Sequence, residues 1–267
     1  MSKLRTVQNR IVVKVGTSTL TNEKGKMNLR EFDRLAMVLA DIHNMGYEVI
    51  LVSSGAIAVG SAKLGLGKPP ETMRMKQASA AVGQSQIMFL YDKFFADYDK
   101  VTAQILLNAE DIQQEEKKEN LTNTFHALLE NGVIPIVNEN DSVSYTEIES
   151  KDRLFGDNDM LSAVVSVLTQ AERLVIFSDI DGFYDRDPRL YPDAKLIEEI
   201  DEINDDIYRL AGGAGSRRGT GGMKTKIQAA ALATAQGIDT IITNGKNPGA
   251  LYDIVEGRHP GTLFRGK

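Results

Sequence analysis

Ile11-Val12-Val13-Lys14-Val15-Gly16-Thr17-Ser18-Thr19 is an apolar, mostly β-branched run interrupted by one lysine and followed at once by a small polar turn. Such a run, without alternation, reads as a strand buried on both faces, as in a parallel sheet covered by helices. Five more runs share the pattern: Val49 to Ser53, Val101 to Leu107, Val133 to Val137, Leu174 to Ser178 and Thr240 to Thr243. Longer stretches of helical period lie between them. Asn28, followed three residues on by Glu31, resembles a helix-start capping pair; Phe32, Leu35, Ala36, Leu39 and Ile42 then make an apolar stripe that Gly46 ends. Thr72 to Tyr98, Asp111 to Asn131, Met160 to Thr169 and Thr225 to Gln236 read as further helices. The alternation predicts an α/β fold, a three-layer sandwich whose mostly parallel central sheet carries helices on both faces. No internal repeat, low-complexity tract or long linker divides the chain, so residues 1–267 are expected to form one domain.

With 267 residues, 42% hydrophobic and 25% charged, the chain has ample material for a core. The absence of cysteine excludes disulfides and thiolate chemistry and fits a reducing cytoplasm. Lys3, Arg5 and Arg10 precede an apolar run, but Lys14 breaks it too early for a signal peptide. No run approaches the ~18 apolar residues of a membrane span. A formal net charge of -6 argues against a dedicated nucleic-acid binder, whose affinity rests on many Lys and Arg contacts to phosphate. The expectation is a cytoplasmic protein that engages neither membrane nor nucleic acid.

In parallel sheets ligands gather where strands end and loops begin, and the unusual residues fall at those places. Lys14 near the end of a buried strand is costly unless an anion meets it, although a lysine snorkelling at an exposed strand edge fits the same letters. Ser53-Ser54-Gly55-Ala56 ends the second run; Ser54 is read there first as a helix cap and second as a hydroxyl for an anionic ligand. The stretch from Asn138 to Met160 is acidic, with Glu139, Asp141, Glu147, Glu149, Asp152, Asp157 and Asp159 against only Lys151 and Arg153. Its clusters Asn138-Glu139-Asn140-Asp141 and Gly156-Asp157-Asn158-Asp159 suit a substrate ammonium, Mg²⁺ or the fixing of lysines, and equally a solvated loop with a helix cap. Ser178-Asp179 follows another strand and reads as a nucleotide contact or a turn. The sign reverses from Ile207 to Ile238, where Arg209, Arg217, Arg218, Lys224 and Lys226 meet no Asp or Glu. There Gly219-Thr220-Gly221-Gly222-Met223-Lys224-Thr225-Lys226 opens a helix, and glycine amides, a helix N-terminus and lysines together suit phosphate.

The absences discriminate as well. Neither Gly-x-x-x-x-Gly-Lys-Ser/Thr nor Gly-x-Gly-x-x-Gly after the first strand is present, and the protein-kinase His-Arg-Asp set is missing. His43, His126 and His259 lack metal spacing, and no Gly-x-Ser-x-Gly elbow occurs. Hydrolase and zinc readings have little support.

Val13 to Ser18, Ser54-Gly55-Ala56-Ile57-Ala58, Ala81-Val82-Gly83-Gln84-Ser85, Asn138 to Asp141, Phe155 to Asp159, Asp187-Pro188-Arg189, Gly219 to Lys226 and Gly261-Thr262-Leu263-Phe264 span nearly the whole chain. Jointly they resemble the glutamate 5-kinase branch of the amino-acid kinase family. The resemblance implies transfer of phosphate from ATP, with Mg²⁺, to the side-chain carboxylate of L-glutamate, the first step toward proline. By analogy Lys14 and Lys226 reach the transferring phosphate and Asp159 holds both. Ser54, Asp141 and Asn158 bind glutamate. Lys14, Gly16, Thr17, Ser178, Asp179, Thr220, Gly221, Gly222, Met223, Lys224, Thr225 and Lys226 line the ATP site, although Met223 reads best as packing. No residue is assigned as a metal ligand, and Arg217 and Arg218 have no assigned role. Residues 1–170 form approximately the glutamate half and 171–267 the ATP half. Many members continue into a C-terminal RNA-modification-type domain, and this chain, ending at Lys267, is similar to the single-domain variant. Proline inhibition and a homodimer or homotetramer are further implications. A kinase of the same fold acting on aspartate, N-acetylglutamate, carbamate or a nucleoside monophosphate stays open, as does a noncatalytic amino-acid sensor.

Overall fold

The computed structural model describes residues 7–22, 26–143, 157–212 and 222–267. Six strands match the buried runs: β1 (Val7–Val15), β2 (Glu48–Ser53), β3 (Thr102–Leu107), β4 (Ile134–Glu139), β5 (Ala171–Ser178) and β7 (Asp239–Asn244). Two more, β6 (Glu199–Ile200) and β8 (Thr262–Phe264), are too short to carry a periodic signal. The sheet order is β3-β4-β2-β1-β5-β7-β8-β6, and every pairing is parallel except β7 with β8. β1 lies between β2 and β5, with Lys14 in register with Val52 and Ile176.

The strand period of two divides the core into two layers. Ile11, Val13 and Val15 pack toward α2 (Leu29–Asn44), α4 (Met73–Ala96) and α10 (Ala250–Val255), through residues such as Phe32, Leu39, Tyr91 and Leu251. Val12 packs oppositely, toward α6 (Glu115–Glu130), α7 (Asn158–Leu168) and α9 (Met223–Thr234). Lys14 shares the parity of Val12, so it faces α7 and α9. This alternation gives the expected three-layer sandwich.

Local details differ from the sequence reading. Asn28 is the N-cap residue of α2, but its side chain makes no cap; its carbonyl accepts the N–H groups of Glu31 and Phe32 instead. Gly46 ends that helix at φ +93, a conformation glycine adopts without cost. The segment Asp111 to Asn131 is two helices, α5 (Ala109–Gln113) and α6, because Gln114 takes an extended ψ of 115. The Asp111 carboxylate accepts the Asn108 N–H at 2.7 Å and so fixes the start of α5. The short helices α1 (Thr17–Leu20), α3 (Ala56–Lys63) and α8 (Asp205–Ala211), like α10, had no periodic signal. Among the described residues, no helix is long and apolar enough to cross a membrane.

α3 packs on α4 backbone against backbone. A Cβ on Gly60 would lie 1.8 Å from the Ser79 carbonyl oxygen, and one on Gly83 would lie 1.8 Å from that of Ala56. Neither neighbour is a side chain that can turn away. Gly83→Ala therefore forces the helices apart, and is expected to cost about 3 kcal/mol, read as a lowered denaturant midpoint at unchanged m-value.

Candidate active site

The carboxyl ends of the parallel strands bring together residues from distant parts of the chain. Lys14 arrives from β1, Asp159 from the first turn of α7 and Lys226 from the first turn of α9. Lys14 Nζ lies 2.6 Å from Asp159 Oδ1, and Lys226 Nζ lies 2.9 Å from Asp159 Oδ2. Asp159 is fully buried, and the two lysines are 5% and 6% exposed. One carboxylate thus spaces two ammonium groups, and the site retains one unit of positive charge from these three residues. Buried charges persist only when paired, so the arrangement identifies the anion that meets Lys14 in its apolar strand.

A second carboxylate stands beside the first. Asp157 is the N-cap of α7, where its Oδ1 accepts the Asp159 N–H at 3.3 Å. Burial and the neighbouring Asp159 charge hold its carboxyl above the ordinary carboxylate range, against the pull of Lys14 and Lys226. For Asp159 burial also acts upward, but Lys14 and Lys226 together outweigh it and hold the group below its usual value. Both lysines pull both acids downward, but burial and the Asp159 charge win at Asp157 while the lysines win at Asp159.

Asn158 sits between these acids in sequence and turns the other way. Its Nδ2 lies 2.7 Å from Ser54 Oγ, 3.0 Å from Asn138 Oδ1 and 3.3 Å from the Ser53 carbonyl oxygen. Asn138 Nδ2 in turn donates to Gln84 Oε1 at 2.8 Å. Ser54 is not the cap of α3; Gly55, at φ +105, holds that position, and no side chain caps it. The serine hydroxyl is left to accept from Asn158. A Cβ on Gly55 would meet the Thr17 side chain at 3.6 Å, so the loop ends of β1 and β2 touch.

The amide chain ends at a cleft of about 440 Å³, lined by residues including Gln84, Ser85, Gln104, Glu139 and Asp141. Asp141 thus lies at the cleft whose wall is tied through Gln84 and Asn138 to Asn158. Gln84 and Asn138 were not among the expected site residues. Their amides carry no mark in a helix or a strand end, and only membership in the Ala81 to Ser85 and Asn138 to Asp141 blocks could have singled them out.

On the other side, a Cβ on Gly16 would lie 3.6 Å from Lys14 Nζ, which places this backbone beside the amine. Ser178 ends β5, its hydroxyl 3.3 Å from Asp179 Oδ1, while Asp179 Oδ2 is paired with Arg189 at 2.6 Å. Arg189 belongs to the Asp187-Pro188-Arg189 block. Gly222 is the N-cap of α9, whose first turn carries no acid of its own. Met223 is half-buried against the core. Lys224 is exposed and borders a shallow depression with Asp205, Tyr208, Arg209 and Gly212. Thr225 points its hydroxyl at Asp157 and Asp159. Thr220 and Gly221 lie outside the described residues, as do Gly219, Arg217, Arg218 and the stretch Glu147 to Gly156. Among the described residues, no group of three or more acids or histidines is arranged to hold a metal ion.

The chain is similar to known proteins in sequence and in fold. The sequence model of the amino acid kinase family matches residues 9–244. A glutamate 5-kinase of Clostridium perfringens is 56% identical across 100% of this chain and 99% of its own length. Another, of Listeria innocua, is 50% identical over 97% of this chain and 93% of its own. A third, of Caldanaerobacter subterraneus, is 49% identical over 96% of this chain and 67% of its own. Solved structures share the fold at low identity: a UMP kinase of Bacillus anthracis, TM-score 0.66 and 15% identical, covers 97% of this chain and 96% of its own. A carbamate kinase of Giardia lamblia bound to AMP-PNP, TM-score 0.66 and 17% identical, covers 96% and 98% respectively. The chain belongs to the amino acid kinase family, within its glutamate 5-kinase branch.

Proposed function

We propose that this chain transfers the γ-phosphoryl group of ATP to the side-chain carboxylate of L-glutamate, releasing L-glutamyl 5-phosphate and ADP. A carboxylate oxygen attacks the γ-phosphorus as the bond to the bridging oxygen breaks, its electron pair leaving with ADP. A glutamate side chain is ionised at neutral pH, so no general base is required. The task is to hold two anions in line and neutralise the charge that spreads over the transferred oxygens. The observation that carries this reading is the pair of buried lysines spaced by Asp159 at the carboxyl edge of the sheet. The close relatives, which bear the name of this activity, support it.

In this reading Lys14 and Lys226 contact the transferring phosphoryl, with Asp159 holding both amines. Gly16, Thr17, Ser178, Asp179, Thr220 to Lys224 and Lys226 receive ATP, mostly in residues 171–267. Ser54, Asp141 and Asn158 receive glutamate, in residues 1–170. Mg²⁺ would enter with ATP as the MgATP substrate and neutralise phosphate charge. The product feeds proline formation in the cytoplasm, with proline as feedback inhibitor and a homodimer or homotetramer as the assembly.

ATP-dependent hydroxamate formation in hydroxylamine, which traps an acyl phosphate, tests the reading across glutamate, aspartate, N-acetylglutamate and carbamate, with release of ADP from ATP in the presence of UMP measured alongside. Product from glutamate alone is expected; product only from another acceptor, or ligand binding without turnover, overturns it. Asp141→Asn is expected to raise the KM for glutamate on the order of tenfold, as loss of a charge-assisted contact to the ammonium would, with the KM for ATP unchanged. Equal weakening of both substrates would contradict the division of the chain into two halves.

A further inference from the structure

Thr225 stands in the first turn of α9, one residue before Lys226. Its Oγ1 lies 2.9 Å from the Gly222 carbonyl oxygen, 3.0 Å from Asp159 Oδ2 and 3.1 Å from Asp157 Oδ2. The first contact is the local return that helical threonines commonly make. The other two reach across to α7. The Gly222 carbonyl already receives the Thr225 N–H at 3.1 Å, so it does not depend on the hydroxyl.

A hydroxyl has one hydrogen and two lone pairs. With both acids ionised, two acceptors would compete for that one hydrogen. Both carboxyl contacts are satisfied when a protonated Asp157 donates to Thr225 Oγ1 and Thr225 donates onward to Asp159 Oδ2, the Gly222 carbonyl keeping the Thr225 N–H. Burial and the charge of Asp159, which hold the Asp157 carboxyl high, act in the same sense. The charged groups facing this chain are Lys14 from β1 and Lys226 from α9.

We propose that Thr225 is a positioning residue, whose hydroxyl links Asp157 to Asp159 and so holds the carboxylate that spaces Lys14 and Lys226 through phosphoryl transfer. The inference rests on the kinase reading above and gives Thr225 a task other than contact with ATP. As phosphate oxygens draw the two amines, Asp159 gives up part of its ionic partnership, and a neutral donor becomes the restraint on its rotamer. A carboxylate that turns lets the amines diverge, and catalysis by preorganised charge is steeply sensitive to that geometry.

The test compares Thr225→Val, which removes the hydroxyl at nearly constant shape, with Thr225→Ser, which keeps it. In the acyl-phosphate assay T225V is expected to lose about ten- to hundredfold in kcat, the range for a hydrogen bond to a charged group, with both KM values within about twofold. T225S is expected to remain within about threefold of the parent, since its donor is intact. Unchanged KM values in T225V also establish that its sites are folded. Parental kcat in T225V overturns the proposal, as does equal impairment of T225S, which would assign the effect to the methyl group. A raised KM for ATP with kcat intact overturns it in favour of direct nucleotide contact. Absence of product from the parent chain instead overturns the kinase reading on which the inference stands.

Discussion

Lys226→Met lowers kcat by about a hundred- to thousandfold while changing the KM for ATP by less than about threefold. The asymmetry follows from where the amine sits. Lys226 Nζ is already committed to Asp159 at 2.9 Å in a nearly dry site, so ground-state binding of ATP must share it with a carboxylate. As the phosphoryl group leaves ADP, charge spreads over its equatorial oxygens and the amine gains a stronger partner. An interaction strengthened only then appears in kcat. Methionine keeps the unbranched apolar stem, one atom shorter, and removes the charge, so most packing in the first turn of α9 is retained. The same substitution relieves Asp159 of one cation and leaves it paired with Lys14. Steady-state kinetics with saturating glutamate and varied MgATP check the result. Near-parental kcat would remove Lys226 from the transfer step, and a KM effect as large as the kcat effect would make it a binding group alone.

The sequence made the buried layers legible because β1, β2, β4, β5 and β7 are apolar on both faces and β-branched. It could not reveal β6 and β8, which at two and three residues have no period; β8 is held by pairing with β7 and by Thr262, whose hydroxyl lies 2.7 Å from the Phe183 nitrogen and 2.6 Å from the Ile197 carbonyl oxygen. That network gives the Gly261 to Phe264 block a structural rationale. In the site, Lys14 announced itself as a charge in an apolar run, yet nothing local said which anion would meet it. Asp159 comes from a different helix and is hidden in an acidic stretch that also suits a solvated loop. Serine before a helix usually caps it, but Gly55 at positive φ takes the cap position, so the cap reading of Ser54 fails and its hydroxyl accepts from Asn158. Gln84 and Asn138 are visible only after α4 and the end of β4 meet. Charge out of place is readable from sequence; an amide relay requires the fold.

Asp159→Asn is expected to have the largest effect on the folded state. It keeps the shape of the side chain but removes the carboxylate that pairs directly with Lys14 and Lys226, each nearly buried. Breaking a buried ion pair by removing one partner costs about 3–5 kcal/mol, which for a chain of this size lowers Tm on the order of 10 °C. The sign of the pH dependence is set by the lowered Asp159 carboxyl. Its contribution is fully present above the ordinary carboxylate range and is lost as pH falls through the folded-state value, where the parent also carries a neutral group. Parent and variant should therefore differ most at neutral pH and converge on acidification. MgATP supplies the missing charge, since its phosphates meet the same two amines, so it should raise the Tm of the variant more than that of the parent. Turnover stays depressed nonetheless, because phosphate alone does not keep the amines spaced. Equal MgATP shifts in the two proteins would mean that the lysines do not face the triphosphate, and the site would have to be sought elsewhere along the carboxyl edge of the sheet.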